Sequence, residues 1–248
     1  MRPIHSTCLL VTVIGVATGA MLFAPRSGAS ADGPHGASDE PTVAPAEAMH
    51  RLVDGNERFV HQTMTAAHQD GARREALAKG QRPFAIVLGC ADSRVPPELV
   101  FDQGLGDLFV IRVAGEVAPA EVLGSIEYAV EHLGCRAVVV LGHERCGAVE
   151  AALQLPAGTA PEGNLGELLK DVLPAIEKID RNAPDALDAA VKANAKAVAQ
   201  TVVARSKLVG DMARQGALVV TPARYDLDTG KVEFMEPIGA APAAGGGH

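Results

Sequence analysis

The sequence has no tryptophan, and aromatic residues make up only 3% of it, so the core must be built from aliphatic side chains. Four cysteines in 248 residues are too few for a dense disulfide scaffold. Basic residues are also scarce: 22 lysines and arginines face 30 aspartates and glutamates, which gives a formal net charge of −8. Because nucleic-acid-binding proteins normally carry a basic face, we expect no nucleic-acid partner. By contrast, 48% of the residues are hydrophobic, which indicates a globular chain and excludes a disordered one.

The N-terminal residues have the pattern of a secretory signal. Arg2 precedes a stretch from Cys8 to Ala24 without a charged residue, and Ala29-Ser30-Ala31 then supplies small residues as at a signal-peptidase site. We predict a signal peptide over residues 1–31, and hence an exported protein, periplasmic or secreted, with no stable membrane span after cleavage. An uncleaved anchor is the alternative, although a span needs about 20 apolar residues and small and polar residues interrupt this run.

Composition also marks both edges of the folded part. Residues 32–45 are rich in glycine, proline and polar residues, which is typical of a flexible leader. Residues 239–248 (GAAPAAGGGH) have the low complexity of a disordered tail. We therefore predict one folded domain over residues 46–238, a length that suits a single domain.

The spacing of apolar residues predicts the fold class. Four short apolar runs rich in β-branched residues are typical of strands buried on both faces: 84–88, 108–113, 137–141 and 217–221. Helical patterns cover 49–60, 73–78, 120–132 and most of 165–215. Strands that alternate with helices imply parallel βαβ units. We predict an α/β fold with a central, mostly parallel β-sheet flanked by helices, an N-terminal helical arm and a short edge strand at 231–235.

Two polar segments follow predicted strands. Cys90 comes directly after the first strand, and His143 and Cys146 follow the third. Because neighbouring parallel strands bring their carboxyl ends to one edge of a sheet, we expect these side chains to meet. Two cysteines and a histidine form a donor set that zinc favours, and three protein ligands leave a fourth position open. Zinc in such a site lowers the pKa of a bound water to roughly 7, which makes hydroxide available at neutral pH.

Asp92 and Arg94 lie two and four residues after the first of these cysteines. A carboxylate held by an arginine can accept a hydrogen bond from hydroxide on zinc and fix its orientation, while the arginine keeps the carboxylate ionised. The residues alone leave other interpretations open. The cysteines and the histidine can be packed apart, Cys90 and Cys146 can form a disulfide in an exported protein, and Asp92–Arg94 can be a structural ion pair.

Taken together, these segments resemble a known family. C-x-D-S-R at 90–94 followed by H-x-x-C-G at 143–147 resembles the signature of beta-class carbonic anhydrases. Residues 95–98, 106–112, 125–130 and 225–234 resemble further segments of that family, so the likeness covers about residues 46–237. The resemblance implies a carbonate dehydratase that uses zinc to hydrate carbon dioxide reversibly to bicarbonate and a proton.

The resemblance also assigns roles around the metal. It implies that Cys90, His143 and Cys146 hold one zinc ion per subunit, and that Asp92 and Arg94 form the dyad that orients the hydroxide. In some members the residue equivalent to Asp92 moves onto zinc as a fourth ligand when its arginine pairing breaks, which gives a closed, inactive form.

Three further residues match family positions that bind substrate. Gln81 falls where the family has a glutamine that donates a hydrogen bond to substrate, often across a subunit boundary. Phe109 and Tyr128 fall where aromatic residues line an apolar pocket. From the residues alone, Gln81 can equally be a solvated loop residue and the two aromatic residues can be core. Family members assemble as dimers or larger with exchanged N-terminal helices, which implies a homodimer or homotetramer here.

Two positions depart from the family pattern. Where the family often has R-N-A-G-N, this chain has R-V-A-G-E at 112–116, and we expect Glu116 to place a negative charge near the pocket mouth. One branch of the family has a tryptophan three residues before the first cysteine, in a regulatory bicarbonate site, whereas this chain has Val87. Three rival functions stay open: hydrolysis of a related small molecule such as carbon disulfide, metal binding without catalysis, and thiol–disulfide chemistry.

Overall fold

A computed structural model of the chain describes residues 42–156, 159 and 162–239. The predicted signal peptide, residues 32–41 of the predicted leader and residues 240–248 of the predicted tail lie outside this part of the chain. The described helices are α1 Pro45–Val60, α2 Gly71–Leu77, α3 Pro97–Val100, α4 Ala120–Glu131, α5 Gly147–Gln154, α6 Gly163–Ile176, α7 Ala186–Arg205 and α8 Lys207–Arg214. The described strands are β1 Ala85–Gly89, β2 Leu108–Arg112, β3 Ala137–His143, β4 Val219–Tyr225 and β5 Val232–Phe234.

The five strands form one sheet in the order β2-β1-β3-β4-β5. β1 pairs in parallel with both β2 and β3, and β3 pairs in parallel with β4. β5 runs antiparallel to β4 and forms one edge of the sheet. The prediction of an α/β fold with a mostly parallel sheet, a helical arm and a short last strand is therefore confirmed.

Alternate residues of the central strands face two different cores. Ile86 and Leu88 pack with residues of α4, α7 and α8, among them Ile126. Ala85 and Val87 pack on the opposite side of the sheet with residues of α1 and the α3 region. Every residue of β1 and β3 is buried, which explains why these strands appear in the sequence as unbroken apolar runs.

A third apolar cluster covers the carboxyl ends of the strands. It joins α5, α6 and α7, and its buried members include Cys90, Cys146, Val149 and Val172. The helices predicted over 165–215 are present and supply much of this cover. The cluster keeps water away from the strand ends at which the predicted metal ligands lie.

The boundaries of the elements differ from the prediction by a few residues. β4 was expected at 217–221 but runs on to Tyr225, because Arg224 and Tyr225 pair with the last two residues of β3. α2 begins at Gly71 because the Asp70 carboxylate accepts a hydrogen bond from the Arg73 N–H at 2.7 Å and caps the helix. Among the described residues, no helix combines the length and apolar character needed to cross a bilayer.

Candidate metal centre

The sheet brings the three predicted ligands to one place. Cys90 is the first residue after β1, and His143 is the last residue of β3. The two strands are neighbours, with Gly89 in register with Leu141. The sulfur atoms of Cys90 and Cys146 and a ring nitrogen of His143 all lie within 4.8 Å of one another. All three residues are buried, with exposed fractions of 4% or less.

His143 and Cys146 belong to two different elements. His143 ends β3, and Cys146 is the residue that precedes the first turn of α5. Arg145 between them adopts a left-handed backbone conformation with φ of 52°. The tight turn at Arg145 brings the Cys146 side chain close to His143.

The imidazole of His143 is oriented by its own loop. Nδ1 lies 2.9 Å from the Glu144 carbonyl oxygen, which makes Nδ1 the protonated nitrogen. Nε2 is buried and has no hydrogen-bond partner among the described residues. A buried imidazole whose second nitrogen is held by a carbonyl is the usual arrangement of a metal-ligating histidine. Together with two thiols, the lone pair of Nε2 fits a zinc ion.

The two cysteines interact through a shared proton. A hydrogen bond from the Cys146 thiol is the main cause that lowers the pKa of Cys90 to about 4, and backbone N–H groups of Gly115 and Asp92 act in the same direction. The same hydrogen bond, together with burial, raises the pKa of Cys146. The pair thus loses one proton readily, and a cation would favour loss of the second. The described cysteines are free thiols.

Asp92 and Arg94 form a bidentate ion pair next to this cluster. Arg94 Nε donates to Asp92 Oδ1 at 2.9 Å and an Nη donates to Oδ2 at 2.7 Å. Hydrogen bonds from the Arg94 side chain are the main reason that the pKa of Asp92 falls to about 2. Asp92 Oδ2 also lies 3.8 Å from His143 Nε2. The pair is therefore an ionised carboxylate placed beside the predicted metal position.

Arg112, for which the sequence alone indicates no role, fixes the loop that carries the dyad. Its Nε donates to the carbonyl oxygen of Cys90 at 3.0 Å, and an Nη donates to the carbonyl oxygen of Asp92. The feature of the sequence that could have indicated this role is that an arginine ends the otherwise apolar strand β2. Arg112 holds the backbone of the first ligand and of the carboxylate in one orientation.

A second charged contact that was not predicted ties the His143–Cys146 loop to the β4–β5 turn. The Arg145 guanidinium donates to both carboxylate oxygens of Asp228, at 3.0 and 2.7 Å. The Leu227 N–H donates to the Glu144 carboxylate at 3.1 Å. These residues are far apart in sequence, so their contact emerges only from the pairing of β3 with β4.

Gln81, Phe109 and Tyr128 lie away from the cluster within one chain. Gln81 is exposed in the loop before β1 and lines a surface cleft of about 520 Å³ with residues of α2. Phe109 and Tyr128 pack against each other, with ring centroids 6.4 Å apart. Phe109 is in register with Ile86, four residues before Cys90, or about 13 Å along the strand. Their substrate-binding roles stay predictions.

Glu116 was expected near a pocket mouth, and the structure corrects this position. Its side chain is fully buried, in a short 3₁₀ turn at Ala114–Glu116. Burial raises the pKa of its carboxyl group to about 8. The side chain turns inward because Asn194 of α7 donates to Glu116 Oε1 at 2.8 Å.

Comparisons with known proteins agree with this geometry. The sequence profile of a family described as carbonic anhydrase matches residues 85–232. Carbonic anhydrase 2 of Mycobacterium tuberculosis is 40% identical over 200 residues, which cover 80% of this chain and 97% of that protein.

Solved structures give the same result. A beta-carbonic anhydrase of Coccomyxa in complex with acetazolamide superimposes with a TM-score of 0.62 and 29% identity, over 76% of this chain and 87% of that one. One of two tetrameric beta-carbonic anhydrases of Sordaria macrospora has a TM-score of 0.59 and 24% identity, over 79% of this chain and 98% of that one, which supports the fold alone.

The fold and the matches define an α/β enzyme class, and the chain belongs to the beta-class carbonic anhydrase family. It is accordingly an enzyme of the lyase type, a carbonic anhydrase.

Proposed function

We propose that this protein catalyses the reversible hydration of carbon dioxide to bicarbonate and a proton, with one zinc ion per subunit held by Cys90, His143 and Cys146. The observation that supports this most is the unpartnered, buried Nε2 of His143 between two thiols, with the Asp92 carboxylate 3.8 Å away. The donor set suits zinc and leaves a fourth position for water. A zinc ion in this site would supply the Lewis acidity that makes water a nucleophile near neutral pH.

The role proposed for Asp92 is to accept a hydrogen bond from the attacking hydroxyl group. An ionised carboxylate oxygen accepts more than one hydrogen bond, so Oδ2 can do this while it is held by Arg94. The contact directs the lone pair of the nucleophile toward the carbon of the substrate. Arg94 keeps the carboxylate ionised and in place, and the exposed face of Arg94 connects the dyad with solvent.

We also propose a second state of Asp92. Because Oδ2 lies so close to His143 Nε2, the carboxylate is placed to become a fourth metal ligand when its bonds to Arg94 break. The carboxylate would then fill the position that water needs. Such a state is inactive, and the bidentate bonds of Arg94 oppose it.

Homo-oligomer formation is proposed from the free edge of β2. This strand has a paired neighbour on one side, and its four apolar residues Leu108 to Ile111 are only half-buried in the single chain. Open apolar edge strands favour pairing with another chain. A homodimer or homotetramer that covers β2 would also allow Gln81, Phe109 and Tyr128 to contribute to the substrate pocket of a neighbouring subunit. The Sordaria macrospora relative is described as tetrameric.

Export is a separate proposal that rests on the sequence. The signal-peptide pattern of residues 1–31 indicates a periplasmic or secreted protein. Mass spectrometry of the protein from the exported fraction should find an N-terminus at Asp32. A full-length chain retained in the membrane fraction would instead support an uncleaved anchor.

Stopped-flow measurement of carbon dioxide hydration tests the proposed activity. The zinc-loaded protein should accelerate hydration strongly and should act far less on carbon disulfide. Activity on carbon disulfide alone would favour the related hydrolase. Full zinc loading without either activity would favour a metal-binding protein and would overturn the proposal.

A further inference from the structure

The turn at Gly115–Glu116 has an unusual backbone. Gly115 has a φ of 68° and Glu116 has a φ of 40°, so two consecutive residues are left-handed. Glycine adopts this conformation freely, whereas a glutamate in it is strained. The Glu116 side chain is also completely buried, which is rare for a carboxyl group without partners. Both features require compensating contacts.

Asn194 supplies those contacts from the middle of α7. Its Nδ2 donates to the Gly115 carbonyl oxygen at 2.8 Å and to Glu116 Oε1 at 2.8 Å. Asn194 is itself fully buried. A single amide group therefore holds both the backbone and the side chain of the same turn.

This turn touches both strands that carry the predicted metal ligands. The Val113 N–H, just before the turn, donates to the Gly89 carbonyl oxygen at 3.1 Å, directly before Cys90. On the other side, the Glu116 carboxyl group packs over Gly142, the residue before His143. A Cβ atom at Gly142 would lie 3.3 Å from Glu116 Oε1, so the approach is close.

We propose that Glu116 and Asn194 act as a positioning pair for the metal centre, holding the Gly115–Glu116 turn against the end of β1 before Cys90 and against the end of β3 before His143. The inference rests on the proposed zinc site. Residues that surround metal ligands fix the direction of those ligands, and their loss typically lowers metal affinity about 10- to 100-fold. A purely structural pair would stabilise the fold without any effect on the metal.

Zinc affinity and the spectrum of the cobalt-substituted protein separate these roles. Affinity is measured by competition with a chromophoric chelator, and the thiolate-to-cobalt charge-transfer band reports the geometry at the sulfur atoms. We expect Asn194→Ala and Glu116→Ala to lower zinc affinity about 10- to 100-fold and to shift this band. Glu116→Gln should restore both, because its amide oxygen still accepts a hydrogen bond from Asn194.

Asn56 offers a matched control. It is a buried asparagine that bonds the backbone of Val100, Gly230 and Val232, away from the metal residues. Asn56→Ala should lower thermal stability and leave zinc affinity and the cobalt band unchanged.

Two results would overturn the inference. If Asn194→Ala and Glu116→Ala both have wild-type zinc affinity and an unchanged cobalt band, the pair is merely structural. If Asn56→Ala changes zinc affinity and the cobalt band as much as they do, the changes come from a general loss of stability. If Asn194→Ala does not fold, Glu116→Ala, which keeps the bond between Asn194 and Gly115, decides the question alone. A wild-type protein that binds no zinc would instead remove the proposed function on which the inference rests.

Discussion

Arg94 holds Asp92 by both carboxylate oxygens, at 2.9 and 2.7 Å, and in doing so keeps Oδ2 only 3.8 Å from the free ring nitrogen of His143. The carboxylate is thus fixed beside the predicted metal ligands and bonded to Arg94. A carboxylate held in this way can orient a neighbouring group without occupying a metal position. This explains why an aspartate and an arginine both follow Cys90 so closely in the sequence.

Asp92→Asn should keep zinc and lose most of the hydration activity. The amide presents an NH₂ group to Arg94, so the bidentate contact is lost and the orienting acceptor with it. We expect kcat/KM for carbon dioxide to fall by about 10- to 100-fold, measured by stopped flow on protein with verified zinc content. Asp228→Asn is the matched control, since it breaks the bidentate pair with Arg145 at the same edge of the sheet and should leave activity near wild type. An unimpaired Asp92→Asn enzyme would contradict the dyad.

Cys90→Ser should lose tightly bound zinc, because a neutral hydroxyl group replaces a thiolate that the structure stabilises by lowering the pKa to about 4. Elemental analysis after dialysis measures the retained metal. Cys135→Ser is the control: Cys135 is buried, its sulfur donates to the Pro83 carbonyl oxygen at 3.1 Å, and burial raises its pKa to about 12. That variant should retain one zinc per subunit. Equal zinc retention in both variants would exclude Cys90 as a ligand.

The meeting of Cys90 with His143 was predictable from the sequence because each lies at the end of a strand whose apolar run is unmistakable. Cys90 follows β1 directly, and β1 and β3 are neighbours in a parallel sheet, so the meeting of Cys90 with His143 follows from topology. The supporting residues were not predictable in the same way. Arg112, Asn194 and Asp228 act through contacts between segments distant in sequence.

The misplacement of Glu116 has a similar cause. An acidic side chain in a glycine-containing loop is usually exposed, and its sequence neighbours gave no sign of a buried partner. The partner is Asn194, on a helix more than 70 residues later, at a distance of 2.8 Å. The helical position of Asn194 could be predicted, but its direction toward the Gly115–Glu116 turn depends on how α7 packs on the sheet.

Asp102→Asn should destabilise the fold by on the order of 2 to 3 kcal/mol at pH 7. The buried Asp102 carboxylate accepts hydrogen bonds from Arg58, from the Thr65 backbone and hydroxyl, and from the Ala66 N–H, and so ties α3 to the segment after α1. Burial alone would raise the pKa of Asp102, but these hydrogen bonds outweigh it and the pKa is lowered. Urea unfolding monitored by circular dichroism measures the difference.

The pH dependence of that difference has a definite sign. Because the folded pKa of Asp102 lies below the unfolded value of 3.8, its contribution is complete above that pH and is lost as the pH falls through the folded pKa. The difference in the free energy of unfolding between wild type and Asp102→Asn should therefore narrow only in acid. Asp211→Asn, which alters an exposed pair on α8, should show little change at any pH. A gap that grows in acid would be inconsistent with this assignment.

Val110→Lys should weaken assembly without unfolding the subunit. Val110 lies in the middle of β2 at the open edge of the sheet, and a charged residue on an edge strand opposes pairing with a second chain. Multi-angle light scattering should give a smaller species than the wild type. Leu165→Lys, at an exposed position of α6, is the control and should leave the mass unchanged. A wild-type mass for Val110→Lys would place the subunit contact elsewhere.

The most direct test of the whole account is the zinc content of the purified protein, determined by elemental analysis together with a count of reactive thiols after the metal is removed. We predict one zinc per subunit, with Cys90 and Cys146 both reduced once the metal is released. A protein without zinc, in which Cys90 and Cys146 form a disulfide, would contradict the proposed metal centre and would favour a thiol–disulfide function.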